Sequence, residues 1–248
     1  MPKCGLLALD IDGTLVTNDG RLTESTKVWV NRAVEAGTTV MLATGRAMRT
    51  TEGVRHELGL TGPMVLLNGA EIWKEPGVLL QRQYLAEDKR HQLRQLAVDH
   101  DAWYWITAVE ATFSKKQWAE EASETDWLKF GIRHDDPHVL RHLRDIIEGW
   151  GLYTVTSSHP SNIEVGPKGL SKATGLMTVC SELGIALQDV MAIGDGRNDM
   201  HMIKSVGFGV AMGNGHPDLK RVADAVTSTN EEDGVARAIA QYLLTDAS

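Results

Sequence analysis

Short apolar runs that break off into polar residues recur along the chain. Leu6-Leu7-Ala8-Leu9 ends in Asp10-Ile11-Asp12-Gly13-Thr14, and Thr38 to Ala43 runs into Thr44-Gly45-Arg46. Met64 to Leu67 leads to Asn68-Gly69, and Val190 to Ile193 leads to Gly194-Asp195-Gly196-Arg197-Asn198-Asp199. An unbroken apolar run of this length predicts a strand buried on both faces, with its polar residues delivered at the C-terminal edge where open α/β sheets place ligands. Helical spacing fills the intervals. Thr23 caps a helix carrying Val30, Ala33 and Val34 that ends at Gly37; Ala47 to Leu58 forms another, stopped near Gly59; Ser171 precedes one with Leu176, Cys180 and Leu183 on a single face before Gly184. Phe208 to Met212, Pro217 to Ala223, Ala225 to Thr227 and Val235 to Leu244 complete the series. Strand–helix alternation predicts an α/β fold, a doubly wound parallel sheet with helices on both faces.

From about Leu85 the pattern changes. Trp103-Tyr104-Trp105-Ile106 suits a strand whose two faces meet different surroundings, with Leu128 to Arg133, Leu152 to Thr156 and Asn162 to Val165 as partners. Two amphipathic helices fit between them, Glu87 to Asp99 and Pro137 to Glu148, the second capped by Asp136. Residues 85–164 are therefore expected to form an inserted, smaller α+β domain between core segments 1–84 and 165–248, with Gly166-Pro167-Lys168-Gly169 as its exit linker. Trp103, Trp105, Trp118, Trp127 and Trp150 fall in this insert, and most are expected in its core because a small domain needs large side chains to bury enough area. His138 and His142 share a helical face without a third ligand in view, which reads as solvated surface.

Composition narrows the classes. At 248 residues and 42% hydrophobic content the chain can bury one large core, or a core plus a smaller domain. No stretch approaches the ~20 apolar residues of a membrane span, and no basic segment followed by an apolar one opens the chain, so a cytoplasmic location is expected. Cys4 and Cys180 are too few for a disulfide framework. A net charge of −8 argues against nucleic-acid and membrane-surface partners and requires an anionic substrate to be drawn by local positive groups. The oligomeric state, monomer or homodimer, is left open.

Four polar sets thus fall at strand ends or one turn into the neighbouring helix: Asp10 with Asp12, Thr44, Lys172, and Asp195 with Asn198 and Asp199. Singly each is ordinary, a turn, a helix cap or a surface lysine; in this order they are specific. The sequence resembles the haloacid dehalogenase-like hydrolases, and within them the Cof-type phosphatases whose cap domain lies between the second and third motifs. The resemblance rests on D-I-D-G-T, A-T-G-R, L-N-G-A, the lysine of G-L-S-K, G-D-G-R-N-D, G-V-A-M-G-N and N-E-E-D-G-V, and it covers the whole chain. It implies Mg²⁺-dependent phosphoryl transfer from a small phosphorylated metabolite through an aspartyl-phosphate. The insert is short for such a cap, and Gly215 stands where alanine is frequent.

The roles have a physical basis as well. Asp10 is the expected nucleophile. Mg²⁺ takes oxygen ligands and keeps several waters, so Asp10 and Asp195 with the backbone oxygen of Asp12 would suffice to hold it. By resemblance, the Asp12 side chain is the general acid and base. Lys172, the Thr44 hydroxyl and nearby backbone N–H groups such as that of Gly45 form the phosphate clamp. Asp199 would hold Lys172 or a metal-bound water, and Asn198 would support the site. Arg46 is read as a substrate contact or a salt bridge, Asn68 as a substrate contact or a turn residue. Sugar phosphates are the first substrate class, with phosphoglycolate phosphatase and phosphomutase as alternatives. From other classes, a phospho-acceptor signalling module is disfavoured by the insert and by Asp12, and an inactive sugar-phosphate sensor by the complete residue set.

Overall fold

The computed structural model describes residues 4–118, 122 and 125–244. The chain divides into two compact units, one built from residues 1–81 and 172–248, the other from Arg82–Ser171.

The first unit is organised on an eight-stranded sheet. Its strands in chain order are β1 (Leu6–Leu9), β2 (Thr39–Ala43), β3 (Met64–Leu66), β4 (Glu71–Glu75), β5 (Val78–Arg82), β11 (Val190–Gly194), β12 (Phe208–Ala211) and β13 (Ala225–Val226), the numbers β6 to β10 belonging to the second unit. Across the sheet the order is β13-β12-β11-β1-β2-β3-β4-β5. All pairings from β13 to β3 are parallel, and β4 lies antiparallel to β3. The helices are α1 (Glu24–Glu35), α2 (Met48–Glu57), α5 (Lys172–Leu183), α6 (Met200–Ser205), α7 (Pro217–Val222) and α8 (Gly234–Ala238), with α3 and α4 in the second unit.

β1 is central because each of its four residues is wholly buried. Side chains alternate across a strand, so Leu7 and Leu9 join one apolar cluster with Val30 and Ala33 of α1, while Leu6 and Ala8 join a second with Leu176 and Val179 of α5. Burying each leucine contributes roughly 1.5–3 kcal/mol, which makes β1 an anchored base for the polar loop that follows it. Thr23 caps α1 by accepting from the Thr26 N–H at 3.1 Å. Val34, expected on the buried face, is exposed, since the helix turns it away from Val30 and Ala33.

The apolar pattern does not predict the β4–β5 hairpin. Glu71, Lys74 and Glu75 interrupt its apolar residues, and the turn depends on Gly77 at a φ of +86°.

The second unit carries a five-stranded sheet of order β7-β6-β8-β10-β9, whose pairings between β6 and β7, β6 and β8, β8 and β10, and β10 and β9 are all antiparallel. The strands are β6 (Trp103–Thr107), β7 (Thr112–Ser114), β8 (Lys129–Arg133), β9 (Tyr153–Thr156) and β10 (Asn162–Pro167). Leu93 and Ala97 of α3 (Arg90–Asp99) and Leu140, Leu143 and Ile147 of α4 (Pro137–Gly149) pack with Tyr104, Ile106, Phe130, Ile132, Ile163 and Val165 into its core. Asp136 caps α4, accepting from His138 N at 2.8 Å.

One expectation for this unit needs correction. Gly166 and Pro167 are not linker: they extend β10, opposite Thr154 and Tyr153 of β9. Of the five tryptophans three pack in the core, as expected for most of them, and Trp127 is fully buried. Trp118 and Trp150 are partly buried against the core, whereas Trp103 and Trp105 alternate with the inward Tyr104 and Ile106 and stand on the opposite face of β6. Trp105 lies flat over Gly131, where any Cβ would fall 2.1 Å from its ring. Among the described residues no helix is long and apolar enough to cross a membrane.

Candidate active site

Asp10 is the first residue beyond β1. Its N–H donates to Ile193 O at 3.1 Å, extending the β1–β11 ladder, and only 5% of the residue is exposed. The chain then folds back tightly. The N–H groups of Thr14, Leu15 and Val16 lie 3.2, 3.0 and 3.1 Å from Ile11 O, and Gly13 takes a φ of +74°. That glycine is required twice over, because a Cβ there would also lie 2.4 Å from Asp195 Oδ2. The turn separates the two aspartates of the motif, so their side chains do not converge.

Asp10 instead meets residues delivered from β11 and α5. Lys172, the first residue of α5 and 1% exposed, donates to Asp10 Oδ1 and Asp199 Oδ1, each at 2.6 Å. The other oxygen of Asp199 accepts from the N–H groups of Asp195 at 3.0 Å and Gly196 at 2.8 Å. Asp199 is thus fully engaged as the partner of Lys172 and the brace of the β11 loop. The Thr14 hydroxyl lies 3.5 Å from Asp10 Oδ2 and 3.4 Å from Asp195 Oδ1. Carboxylate oxygens of Asp10, Asp195 and Asp199 all fall within 4.8 Å of one another.

Three carboxylates against one ammonium leave an excess of negative charge in a dry place. Burial, then the charge of Asp199, pushes the Asp10 carboxyl well above the usual carboxylate range, against the opposing pull of Lys172. The same two causes raise Asp195 to about 6. Lys172 stays charged: burial opposes its ammonium, but Asp10 and Asp199 together raise its pKa above the ordinary value. Two carboxylates whose oxygens lie within 4.8 Å of each other, with Lys172 bonded to Asp10, fit a divalent cation. Asp10 and Asp195 are the better placed to hold it, since Asp199 already accepts from Lys172 on one oxygen and from the N–H groups of Asp195 and Gly196 on the other.

The remaining candidates lie around this cluster. Thr44, wholly buried, accepts the Arg46 N–H on its hydroxyl at 3.1 Å, which leaves its own O–H to donate. Its backbone carbonyl accepts from Asn68 N at 3.0 Å. Asn68 takes a left-handed conformation, φ 54°, and its side-chain oxygen accepts from Asn198 Nδ2 at 3.2 Å. Gly45 continues the loop between Thr44 and Arg46. Asp12 lies outside the carboxylate cluster, its side chain 61% exposed and paired with Arg46. Of the two readings of Arg46, the salt bridge is the one formed here.

Three further residues support the site without an apolar run directly before them to single them out. Thr14 stands within D-I-D-G-T, and its reach to Asp195 depends on β1 and β11 being neighbours. Asn214 Nδ2 donates to Gly13 O at 2.8 Å, while its oxygen accepts from Asn230 N at 3.0 Å. Asn230, 5% exposed, donates to Val16 O at 3.0 Å. The late motifs G-V-A-M-G-N and N-E-E-D-G-V thereby brace the loop that carries Asp12 and Gly13.

Comparison with known proteins gives a consistent result. A family model described as haloacid dehalogenase-like hydrolase matches residues 7–139 and 114–239. The 5-amino-6-(5-phospho-D-ribitylamino)uracil phosphatase YcsE of Bacillus subtilis is 34% identical over 239 residues, which span 96% of each chain. A phosphoglycolate phosphatase of Methanobrevibacter smithii is 28% identical, with 96% of this chain and 98% of that one covered. Among solved structures, a haloacid dehalogenase-like hydrolase from Bacteroides thetaiotaomicron superposes with a TM-score of 0.82 at 27% identity, covering 96% of this chain and 98% of that one. With the motifs in order, the strand-end aspartates gathered around Lys172 and the family model matched across both units, the chain belongs to the haloacid dehalogenase-like hydrolases.

Proposed function

We propose that this phosphatase hydrolyses phosphomonoesters of small sugars and polyols, with Mg²⁺, through an aspartyl-phosphate on Asp10. The observation that carries the reading is the setting of Asp10: buried at the end of the central strand, gripped by Lys172 and within reach of Asp195. Asp10 attacks phosphorus, the ester P–O bond breaks, and the leaving oxygen takes a proton from Asp12. Water then gives a proton to Asp12 and displaces Asp10 from phosphorus, releasing inorganic phosphate. Lys172, the Thr44 hydroxyl and the Gly45 N–H hold the transferring group. A divalent cation held by Asp10, Asp195 and the Asp12 carbonyl would offset the charge of that group. We assign substrate choice to the second unit, which has its own core and, among the described residues, contributes none to the carboxylate cluster.

The polyol class is favoured by the 34%-identical relative, named for a ribityl phosphate; the phosphoglycolate phosphatase at 28% identity supports the small acid as the second reading. A panel of sugar phosphates, 5-amino-6-(5-phospho-D-ribitylamino)uracil and phosphoglycolate, scored by phosphate release, tests the assignment. Turnover is expected on the sugar and polyol esters, to be lost in excess chelator and restored by Mg²⁺. Full activity in chelator would overturn the metal assignment, and phosphoglycolate as sole substrate would overturn the substrate class.

A pH dependence accompanies the cation. With Asp195 raised to about 6 from an ordinary 3.8, the folded, cation-free chain binds more protons than the unfolded chain between those values. Stability is therefore lost as pH rises through that window, by on the order of 3 kcal/mol. A cation that binds the ionised carboxylates offsets this loss. The gain in melting temperature from saturating Mg²⁺ should accordingly be larger at about pH 7.5 than at about pH 5. Equal gains would place the cation elsewhere.

A further inference from the structure

Asp12 is open to solvent on a loop, and a carboxylate in that position ordinarily samples several rotamers. Here both oxygens are held: Arg46 Nε donates to Oδ2 at 2.9 Å and Nη2 to Oδ1 at 2.6 Å. Arg46 is itself fixed. Its side chain is only 25% exposed, Nη1 donates to Thr50 O in α2 at 3.1 Å, and its backbone N–H donates to the Thr44 hydroxyl. A planar guanidinium paired with both carboxylate oxygens defines the plane of the carboxylate, which a lysine ammonium cannot do.

We infer that Arg46 is a positioning residue for the second half of the reaction, holding the Asp12 carboxylate in the orientation in which it takes the proton of the attacking water. The inference rests on the reading of Asp12 as general base. In that step a water O–H bond breaks and its proton passes to an Asp12 oxygen. The water oxygen bonds to phosphorus, and the P–O bond to Asp10 breaks with its electron pair returning to the Asp10 carboxylate. Each Asp12 oxygen uses one lone pair on the guanidinium and keeps another for water. The bond from Arg46 N–H to Thr44 ties this orientation to the loop that carries the phosphate clamp, so the base and the clamp are set by one short segment, Thr44-Gly45-Arg46.

The rival role for Arg46 is direct contact with the phosphoryl group, and a double-mutant cycle separates the two. The full chain, with Mg²⁺ and an aryl phosphate, is quenched at intervals and the lifetime of phosphorylated protein is read by intact mass, alongside KM. Arg46→Ala should lengthen that lifetime by about tenfold to a hundredfold, the usual scale for a misplaced catalytic group, with KM nearly unchanged and an unchanged melting temperature. Asp12→Ala should lengthen it at least as much, and the double variant should match Asp12→Ala alone. Arg46→Lys should behave like Arg46→Ala. Added guanidinium ion should shorten the lifetime in Arg46→Ala but not in the double variant. An Arg46→Ala effect that persists in full in the Asp12→Ala background, or one confined to KM, would overturn the inference and make Arg46 a phosphate contact. A normal lifetime in Asp12→Ala would instead remove the general-base reading on which it rests.

Discussion

Asp10→Asn should leave a folded protein whose turnover falls by roughly 10⁴-fold or more on every ester, the scale expected when the nucleophile of a covalent mechanism is removed. The substitution preserves volume in a site that is 5% exposed, so packing of the β1 end is retained. It also removes one of three mutually repelling carboxylates, and melting temperature should hold or rise in the absence of cation. Steady-state phosphate release together with a melting curve checks both halves. Turnover above about a hundredth of the parent would mean that another group attacks phosphorus.

The second large effect belongs to Lys172. Lys172→Ala should lower kcat by about a hundredfold or more, since a preorganised charge facing the transferring group is lost. It should also destabilise the fold. Asp10 Oδ1 and Asp199 Oδ1 each give up a 2.6 Å bond to a buried ammonium, and breaking a buried pair from one side typically costs about 3–5 kcal/mol. Mg²⁺ should recover part of the stability, because a cation on Asp10 relieves the same repulsion, but little of the rate. A near-normal kcat with only a stability loss would confine Lys172 to a structural role.

Much of the fold could be read directly where the local pattern and the final environment agree. β1, β2 and β11 are apolar runs buried from both sides, and helices pack on both faces of that sheet, so Leu6–Leu9, Thr39–Ala43 and Val190–Gly194 carry little ambiguity. The β4–β5 hairpin escaped because an edge of the sheet tolerates the exposed Lys74 and Glu75, which erase the apolar run. β7 has only three residues, too few for a period to be recognised. Size favours burial for most tryptophans of the insert, but only the alternation of Trp103-Tyr104-Trp105-Ile106 on a formed strand decides that the two on β6 face away from the helices. Within the site, the residue types at the strand ends were legible, but their partnerships were not. Arg46 reaches Asp12 across 34 positions, and Thr14 reaches Asp195 across 181. Both contacts exist only because β2 and β11 flank β1. Asn214 and Asn230 brace the Gly13 loop through backbone carbonyls, which no side-chain pattern announces.

The central claim is that Asp10 carries the phosphoryl group. The full chain with Mg²⁺, mixed with an aryl phosphate and quenched in acid at intervals, can be weighed intact and then mapped by peptide after hydroxylamine treatment. The account predicts one added phosphoryl group that appears and decays at the rate of turnover in the parent, localises to Asp10, is discharged by hydroxylamine, persists in Asp12→Ala and is absent in Asp10→Asn. Phosphate release by the parent at full rate with no phosphorylated species at any time, and undiminished release by Asp10→Asn, would contradict it.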